Sequence, residues 1–148
     1  MKIIINEEQF NPWQVLETFQ NEMPESMSGG YGATAVFLGT MRDFNEGDGV
    51  SEMFLEHYPG MTERHLENIC LQATGEYHLL ETLIVHRVGS IKPNDPIVLV
   101  AVWTEHRKQA FEACREIMED LKSRAPFWKK EQLHEGDERW VEKNTKGY

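Results

Sequence analysis

Two apolar, β-branched runs constrain the fold more than any other part of the sequence. They are LLETLIVHRVG at 79–89 and PIVLVAVW at 96–103, and the turn-rich stretch SIKPND separates them. Short runs rich in Val, Ile and Leu, bounded by Gly, Pro, Asn and Asp, are typical of strands. The two runs are therefore predicted to form an antiparallel pair.

The rest of the chain divides into strands and helices. Helices are predicted at 12–20, at 61–77 and from about Glu105 to Arg124, where the residue before Pro126 is excluded from the α region. Further strands are predicted at 2–5, 33–41, 51–58, 127–133 and 138–143, with loops at 23–32 and at RDFNEGDG, 42–49. Strands grouped in hairpins with two long helices between them indicate an α+β fold, and the length of 148 residues fits one domain, 1–148.

Composition and charge exclude several classes of protein. The chain has 15 Lys and Arg against 25 Asp and Glu, a formal net charge of −10, which argues against a general nucleic-acid or anionic-membrane surface. No apolar run approaches the roughly 20 residues that cross a bilayer, and the N-terminus does not fit a signal peptide, so a cytoplasmic protein is expected. Cys70 and Cys114 are predicted to be buried thiols, and no metal site is predicted.

The stretch LKSRAPFWKKE, 121–131, concentrates basic residues within this acidic chain. Lys122, Arg124, Lys129 and Lys130 surround a proline and two aromatic residues. They form either a solvated patch or the cationic wall of a site for an anion.

Lys122 falls on the apolar side of its predicted helix. At about 100° per residue it lies about 20° from Phe111. The stripe it joins contains Cys114, Met118 and Leu121, and the acidic face is predicted to contain Glu112, Glu116, Glu119 and Asp120. A lysine so placed either extends past the helix end or is partly desolvated, and desolvation lowers a lysine's pKa and suits it to proton transfer. The alternative is a charge that only stabilises the helix macrodipole.

Two further positions are candidates for binding an anion. Thr104 is a candidate N-cap, and His106 and Arg107 follow Glu105 at the start of the same helix, where free backbone N–H groups favour phosphate. Arg42 follows the strand at 33–41, and its planar fork suits phosphate or carboxylate. Each cation is equally consistent with an ordinary surface charge. The other histidines are predicted to be structural or exposed: His57, His65, His78, His86 and His134.

Several segments together resemble the large, catalytic subunit of molybdopterin synthase. They run in order over about residues 33–142: FLGTMRDFNEGD, LEHYPGMTE, VHRVGSIKPND, TEHRKQAFEACREIMEDLKSRAPFWKKE and EGDERWVE. The resemblance implies a hammerhead-type α+β fold. It also implies a homodimer within a heterotetramer, in which each large subunit binds a small ubiquitin-like sulfur carrier ending in Gly-Gly. The implied reaction moves sulfur from the carrier's C-terminal thiocarboxylate to cyclic pyranopterin monophosphate, forming the dithiolene of molybdopterin, with no metal or organic cofactor.

The resemblance also assigns site residues. The family's essential lysines fall on Lys122 and Lys129. Its substrate-binding positions fall on Thr40, Met41, Arg42, His106, Arg107, Lys130 and Glu131. Lys143 and Asn144 stand where some members have an arginine, so this tail departs from the family pattern. Two other functions remain open from the residues alone: a non-catalytic module that docks a ubiquitin-like tail or a small anion, and a nucleic-acid binder, which the net charge disfavours.

Overall fold

The computed structural model describes residues 1–142. The strands are β1 Lys2–Asn6, β2 Ala33–Thr40, β3 Phe44–Asn45, β4 Asp48–His57, β5 Glu81–Arg87, β6 Gly89–Ile91, β7 Pro96–Thr104, β8 Phe127–Leu133 and β9 Glu138–Trp140. The helices are α1 Pro12–Asn21, α2 Met61–Tyr77 and α3 Arg107–Arg124, with a 3₁₀ turn at Glu25–Met27. The predicted α+β fold is confirmed. Among these helices, none is long and apolar enough to cross a membrane.

The predicted antiparallel pair is the centre of the first sheet, whose strand order is β1-β5-β7-β2. β5 and β7 pair in register Ile84 with Val100, and β1 adds to the edge of β5 in parallel. Both faces of the central pair are covered. Ile84 and Val100 pack under α2 and α3, while Leu83 and Trp103 pack with residues of α1. Burial on both faces explains why these two strands are continuous apolar runs.

The second sheet has the order β3-β4-β8-β9, with β6 also paired to β4. The stretch 42–49, predicted as a loop, contains β3 and the start of β4. Glu46 and Gly47 both have positive φ angles, 52° and 94°, as the two-residue turn of a tight hairpin requires. Glu is an unusual residue for the first of these positions, so the sequence did not signal this turn.

Two expectations about α3 are wrong. Thr104 is not its N-cap, because the residue belongs to β7 and its hydroxyl donates to the His106 carbonyl at 2.9 Å; His106 is the N-cap instead. Asp120 does not lie on the outward acidic face. It is 7% exposed, and its carboxylate pairs with Arg124 and with His65 of α2. The buried face of α3 is therefore wider than the stripe predicted for it, and Phe111, which is exposed, lies at its edge.

Both cysteines are buried free thiols, as predicted. Burial raises the pKa of Cys70 to about 12 and that of Cys114 to about 11. Neither thiol has the low pKa of a reactive cysteine.

Candidate active site

A cavity of about 460 Å³ opens between the end of β2, the β3–β4 hairpin, the last turn of α3 and strand β8. Its lining brings together six of the nine residues predicted for the site: Thr40, Met41, Arg42, Lys122, Lys129 and Glu131. These residues come from three separate parts of the chain. The cavity is therefore the candidate active site.

The end of β2 forms one wall of the cavity. The β2–β7 register shifts between Gly39 and Thr40, and the backbone then turns into the hairpin. Met41 fixes this turn, since its N–H donates to the Asp95 carbonyl at 3.0 Å and its own carbonyl accepts from the Asn94 N–H at 2.9 Å. The Met41 side chain is buried, while Arg42 is exposed and lines the cavity. Arg42 is thus placed to meet an anion that enters the cavity.

The two lysines approach the cavity from different elements. Lys122 lies in the last turn of α3, and Lys129 lies on β8 opposite Leu55 of β4. Both are half-buried. The connection between them is held in place by Thr62 of α2, whose hydroxyl donates to the Pro126 carbonyl at 3.1 Å. This anchor helps to set the path of the chain from the end of α3 into β8, and therefore the backbone positions from which the two lysines extend.

The surroundings of Lys129 lower its pKa. Burial lowers the pKa of Lys129 to about 8, the nearby charge of Lys122 acts in the same direction, and the Glu131 carboxylate opposes both. This burial occurs on the inner face of β8. An amine with a pKa near 8 exchanges protons readily close to neutral pH, as a general acid or base must.

A smaller chamber of about 120 Å³ adjoins the cavity, and Thr40, Met53, Ile97, Lys122 and Lys129 line both. His86 of β5 also lines the chamber. Its ring stacks on Phe127 with centroids 4.0 Å apart, and its Nδ1 bonds to the Arg87 carbonyl oxygen at 2.8 Å. The Nδ1 atom therefore carries the proton of the neutral ring. Sequence reasoning grouped His86 with the structural or exposed histidines, because no partner residue is spaced with it in the sequence.

His86 makes the fold sensitive to acid. Burial lowers the pKa of His86 from 6.5 to about 4. Between these values the unfolded chain takes up a proton that the folded chain does not, so stability falls as the pH decreases from about 6.5 to about 4. When the pH is lowered from 7 to 4.5, the unfolding free energy of both proteins should fall. We expect the fall to be roughly 2–3 kcal/mol smaller in His86→Gln than in the original chain. Urea unfolding of both proteins at both pH values measures this. An equal decline in the two proteins would show that His86 does not carry the effect.

Lys130 and Glu131 differ from what the resemblance implies for them. Side chains alternate along β8, so Lys130 points to the opposite face of the sheet from Lys129, where it pairs with Glu138. Glu131 does line the cavity, but its carboxylate accepts from Asn45 Nδ2 at 2.7 Å and from Arg139 Nε at 3.0 Å. Only Glu131 of this pair lies where a ligand in the cavity would be.

His106 and Arg107 lie at the opposite end of α3 from Lys122. Lys122 lies 15 positions after Arg107, which corresponds to about 22 Å of helix. Both residues are exposed, and among residues 1–142 no side chain caps this helix start. Within one chain, the His-Arg pair therefore does not join the cavity. Lys143 and Asn144 lie outside the described residues.

The charges around the cavity favour an anionic ligand. Arg42, Lys122 and Lys129 contribute three cations, against the carboxylates of Glu46 and Glu131. Glu131 is already paired with Arg139, which also forms an ion pair with Glu46 at 3.9 Å. Over the described part of the chain, no group of three or more His, Cys, Asp or Glu residues could hold a metal ion. The site is thus a positively charged pocket with one amine of lowered pKa.

Comparison with known proteins identifies the family. The profile described as MoaE protein matches residues 5–124. The chain belongs to the MoaE family. The match includes the end of β1 and all of α1, which lie before the 33–142 stretch of the resemblance, and the predicted family is confirmed.

Two curated relatives are both named molybdopterin synthase catalytic subunit. The protein of Ralstonia nicotianae is 59% identical over 111 residues, 75% of this chain and 62% of the relative, so the chain spans less than two thirds of that protein. The protein of Pseudomonas aeruginosa is 46% identical over 142 residues, 96% of this chain and 91% of the relative.

Solved structures agree with this family. The molybdopterin synthase structure from Staphylococcus aureus superposes with a TM-score of 0.81 at 32% identity, covering 95% of this chain and 98% of that one. A complex of subunits 1 and 2 of the molybdopterin-converting factor from Helicobacter pylori has a TM-score of 0.77 at 20% identity, covering 97% and 92%. The second likeness shows the fold alone.

Proposed function

We propose that the chain is the catalytic subunit of molybdopterin synthase. It transfers sulfur from the C-terminal thiocarboxylate of a small carrier subunit to cyclic pyranopterin monophosphate, and so forms the dithiolene of molybdopterin in the cytoplasm. The observation that carries the proposal is the meeting of Lys122, Lys129 and Arg42 around one cavity in a member of the MoaE family. A phosphate and a thiocarboxylate are both anions, and the cavity concentrates positive charge within a chain of net charge −10.

The residues of the cavity have different roles in binding and in proton transfer. Arg42, exposed and fork-shaped, binds the phosphate of the precursor. The amines of Lys122 and Lys129 stabilise the negative charge that develops when the carrier's acyl carbon is attacked, and one of them moves the proton as sulfur is released. The pKa of about 8 suits Lys129 to moving the proton. Thr40 and Met41 shape the wall beside them.

The partner is a small carrier whose tail ends in Gly-Gly. The name catalytic subunit, which the relatives carry, implies at least one further subunit in those proteins. The chamber next to the two lysines is about 120 Å³, which suits a tail without side chains better than a bulky residue. Gly39 forms part of its lining, and a Cβ at that position would come within 2.9 Å of the Val98 side chain.

A homodimer gives His106 and Arg107 a role despite their distance from Lys122. An exposed His-Arg pair about 22 Å away along α3 serves the cavity of a second copy rather than its own. Two chains arranged by a two-fold axis would complete each other's sites in this way. The assembly would then be two large subunits with one carrier bound to each.

Arg42→Ala and Arg107→Ala are expected to weaken binding of the precursor more than binding of the carrier. Each change removes a charged hydrogen bond worth about 1.5–3 kcal/mol, so roughly tenfold or larger losses in precursor affinity should follow. Isothermal titration with precursor and with carrier separates the two effects. Arg64→Ala, which removes an exposed arginine of α2 outside the cavity, is the control. Normal precursor affinity in both arginine variants would refute their assignment.

Mixed dimers test whether the second copy supplies Arg107. One copy carries Arg107→Ala and the other carries Lys122→Ala. If Arg107 acts across the dimer, one of the two sites has both residues intact, and the mixture recovers more activity than either variant shows alone. No recovery in a mixture shown to contain mixed dimers would mean that Arg107 acts within its own chain or not at all.

Reconstitution tests the function itself. Purified chain, thiocarboxylated carrier and cyclic pyranopterin monophosphate are expected to yield molybdopterin, detected as its fluorescent oxidation product. A docking module without catalytic function would bind the carrier and give no product, and that result would overturn the proposal.

A further inference from the structure

Arg139 of β9 joins three elements around the candidate active site. Its Nε donates to Glu131 of β8 at 3.0 Å, its Nη1 donates to Asp48 at 2.7 Å, and its Nη2 donates to the Asn45 carbonyl at 2.8 Å. Asn45 and Asp48 flank the turn of the β3–β4 hairpin, and Asn45 lines the cavity. The Arg139 guanidinium therefore links the β3–β4 hairpin, which forms a wall of the cavity, to β8.

Glu131 is the buried member of this cluster. Its side chain is 7% exposed, and its two carboxylate oxygens accept separately from Asn45 and from Arg139. It lies two residues after Lys129, on the same face of β8, and both line the cavity. A carboxylate this close to a lysine would normally hold the lysine in its charged form.

We propose that Arg139 is a positioning residue: it holds Glu131 and the β3–β4 hairpin in place, so that its guanidinium rather than the Lys129 ammonium neutralises the Glu131 carboxylate. The proposal rests on the function proposed above only in so far as Lys129 takes part in the reaction. Arg139 is absent from the lining of the cavity and acts through Glu131.

The groups that face Lys129 show why this matters. Lys122 approaches from α3, Arg42 and Glu46 from the hairpin region, Glu131 from β8 itself, and the neutral His86 from β5. From β4, Met53 and Leu55 are apolar, and His57 lies further along the same face. Glu131 is the buried carboxylate in this set, and its pairing with Arg139 weakens its tendency to hold Lys129 in the charged form. Without the guanidinium, the uncompensated carboxylate would raise the pKa of Lys129 away from neutral pH.

Nuclear magnetic resonance of ¹³C-labelled lysine side chains tests the proposal without any measurement of activity. The Lys129 signal is assigned as the one that Lys129→Arg removes. In the original chain its titration midpoint is expected at about 8. Arg139→Met should move the midpoint up by roughly one pH unit, and Glu131→Gln should move it down. Arg139→Lys keeps a positive charge beside Glu131 and should leave the midpoint close to that of the original chain.

Arg139→Met and Glu131→Gln should shift the Lys129 midpoint in opposite directions, so the test remains decisive even if one of these variants fails to fold. A Lys129 midpoint that stays at its original value in Glu131→Gln, or in folded Arg139→Met, would overturn the proposal. The pH profile of single-turnover sulfur transfer should shift with the midpoint in each variant. If the midpoints move as expected and the original chain makes no molybdopterin, the proposed function fails while the role of Arg139 stands.

Discussion

Lys129→Ala is expected to lower the single-turnover rate of molybdopterin formation by roughly 10²–10⁴-fold, the usual cost of removing a general acid or base. The protein should still fold and bind carrier. The side chain is half-buried beside Lys122, so its removal relieves a repulsion between two cations, and Glu131 keeps its bonds to Asn45 and Arg139. The rate is measured with saturating thiocarboxylated carrier, and the melting temperature is recorded beside it.

Lys2→Ala is the matched control for this experiment. Lys2 is an exposed lysine of β1 that pairs with Glu22 at 3.4 Å, and it lines neither the cavity nor the chamber. Its removal changes the net charge by the same amount as Lys129→Ala, at a point away from the candidate active site. A rate near normal for Lys129→Ala, with the control also near normal, would remove Lys129 from the chemical step.

Lys122→Arg is expected to be as impaired as Lys122→Ala, with a loss of roughly 10² or more in the same single-turnover rate. A guanidinium keeps the positive charge but does not readily give up a proton, and its planar fork does not fit where a compact ammonium stood. The alternative is that Lys122 only stabilises the C-terminus of α3. That contribution is about 0.3–1 kcal/mol, and arginine would supply it equally well.

The two substitutions at Lys122 therefore separate the two interpretations. If Lys122→Arg is fully active and Lys122→Ala loses only a little stability, the lysine is a helix-end charge. If both fold with a normal melting temperature and both lose turnover, the amine itself is required in the cavity.

The fold was predictable where local chemistry decides it. The β5 and β7 runs are buried on both faces, so their residues are apolar throughout, and the sequence signals this strongly. α2 runs from Met61 to Tyr77, the predicted range, because Gly60 and Pro59 precede it and His78 ends it in the left-handed conformation. The β3–β4 hairpin was not predicted, because Glu46 has a positive φ angle and glutamate is not a residue type that indicates one.

The site was less predictable, because it depends on contacts between distant segments. The pairing of β8 with β4, in which Leu55 lies opposite Lys129, directs Lys129 to the cavity and Lys130 to the other face of the sheet. Nothing within LKSRAPFWKKE fixes that choice of face. Asp120 was assigned to the wrong side of α3 because its partner, His65, comes from another helix. Nothing in the sequence indicated a role for Arg139, because its proposed role depends on contacts with Glu131, Asn45 and Asp48. These residues lie far from Arg139 in the chain or on another strand.

A structure of the chain with its carrier bound would show directly where the carrier's tail lies. We expect the Gly-Gly tail to enter the cavity between β2 and β8. The oxygen of its terminal carbonyl group should then lie within hydrogen-bond reach, about 3.2 Å or less, of the Nζ atom of Lys122 or Lys129. A tail bound elsewhere, for example in the groove that Phe54, Lys130 and Trp140 line on the opposite face of the second sheet, would contradict this expectation.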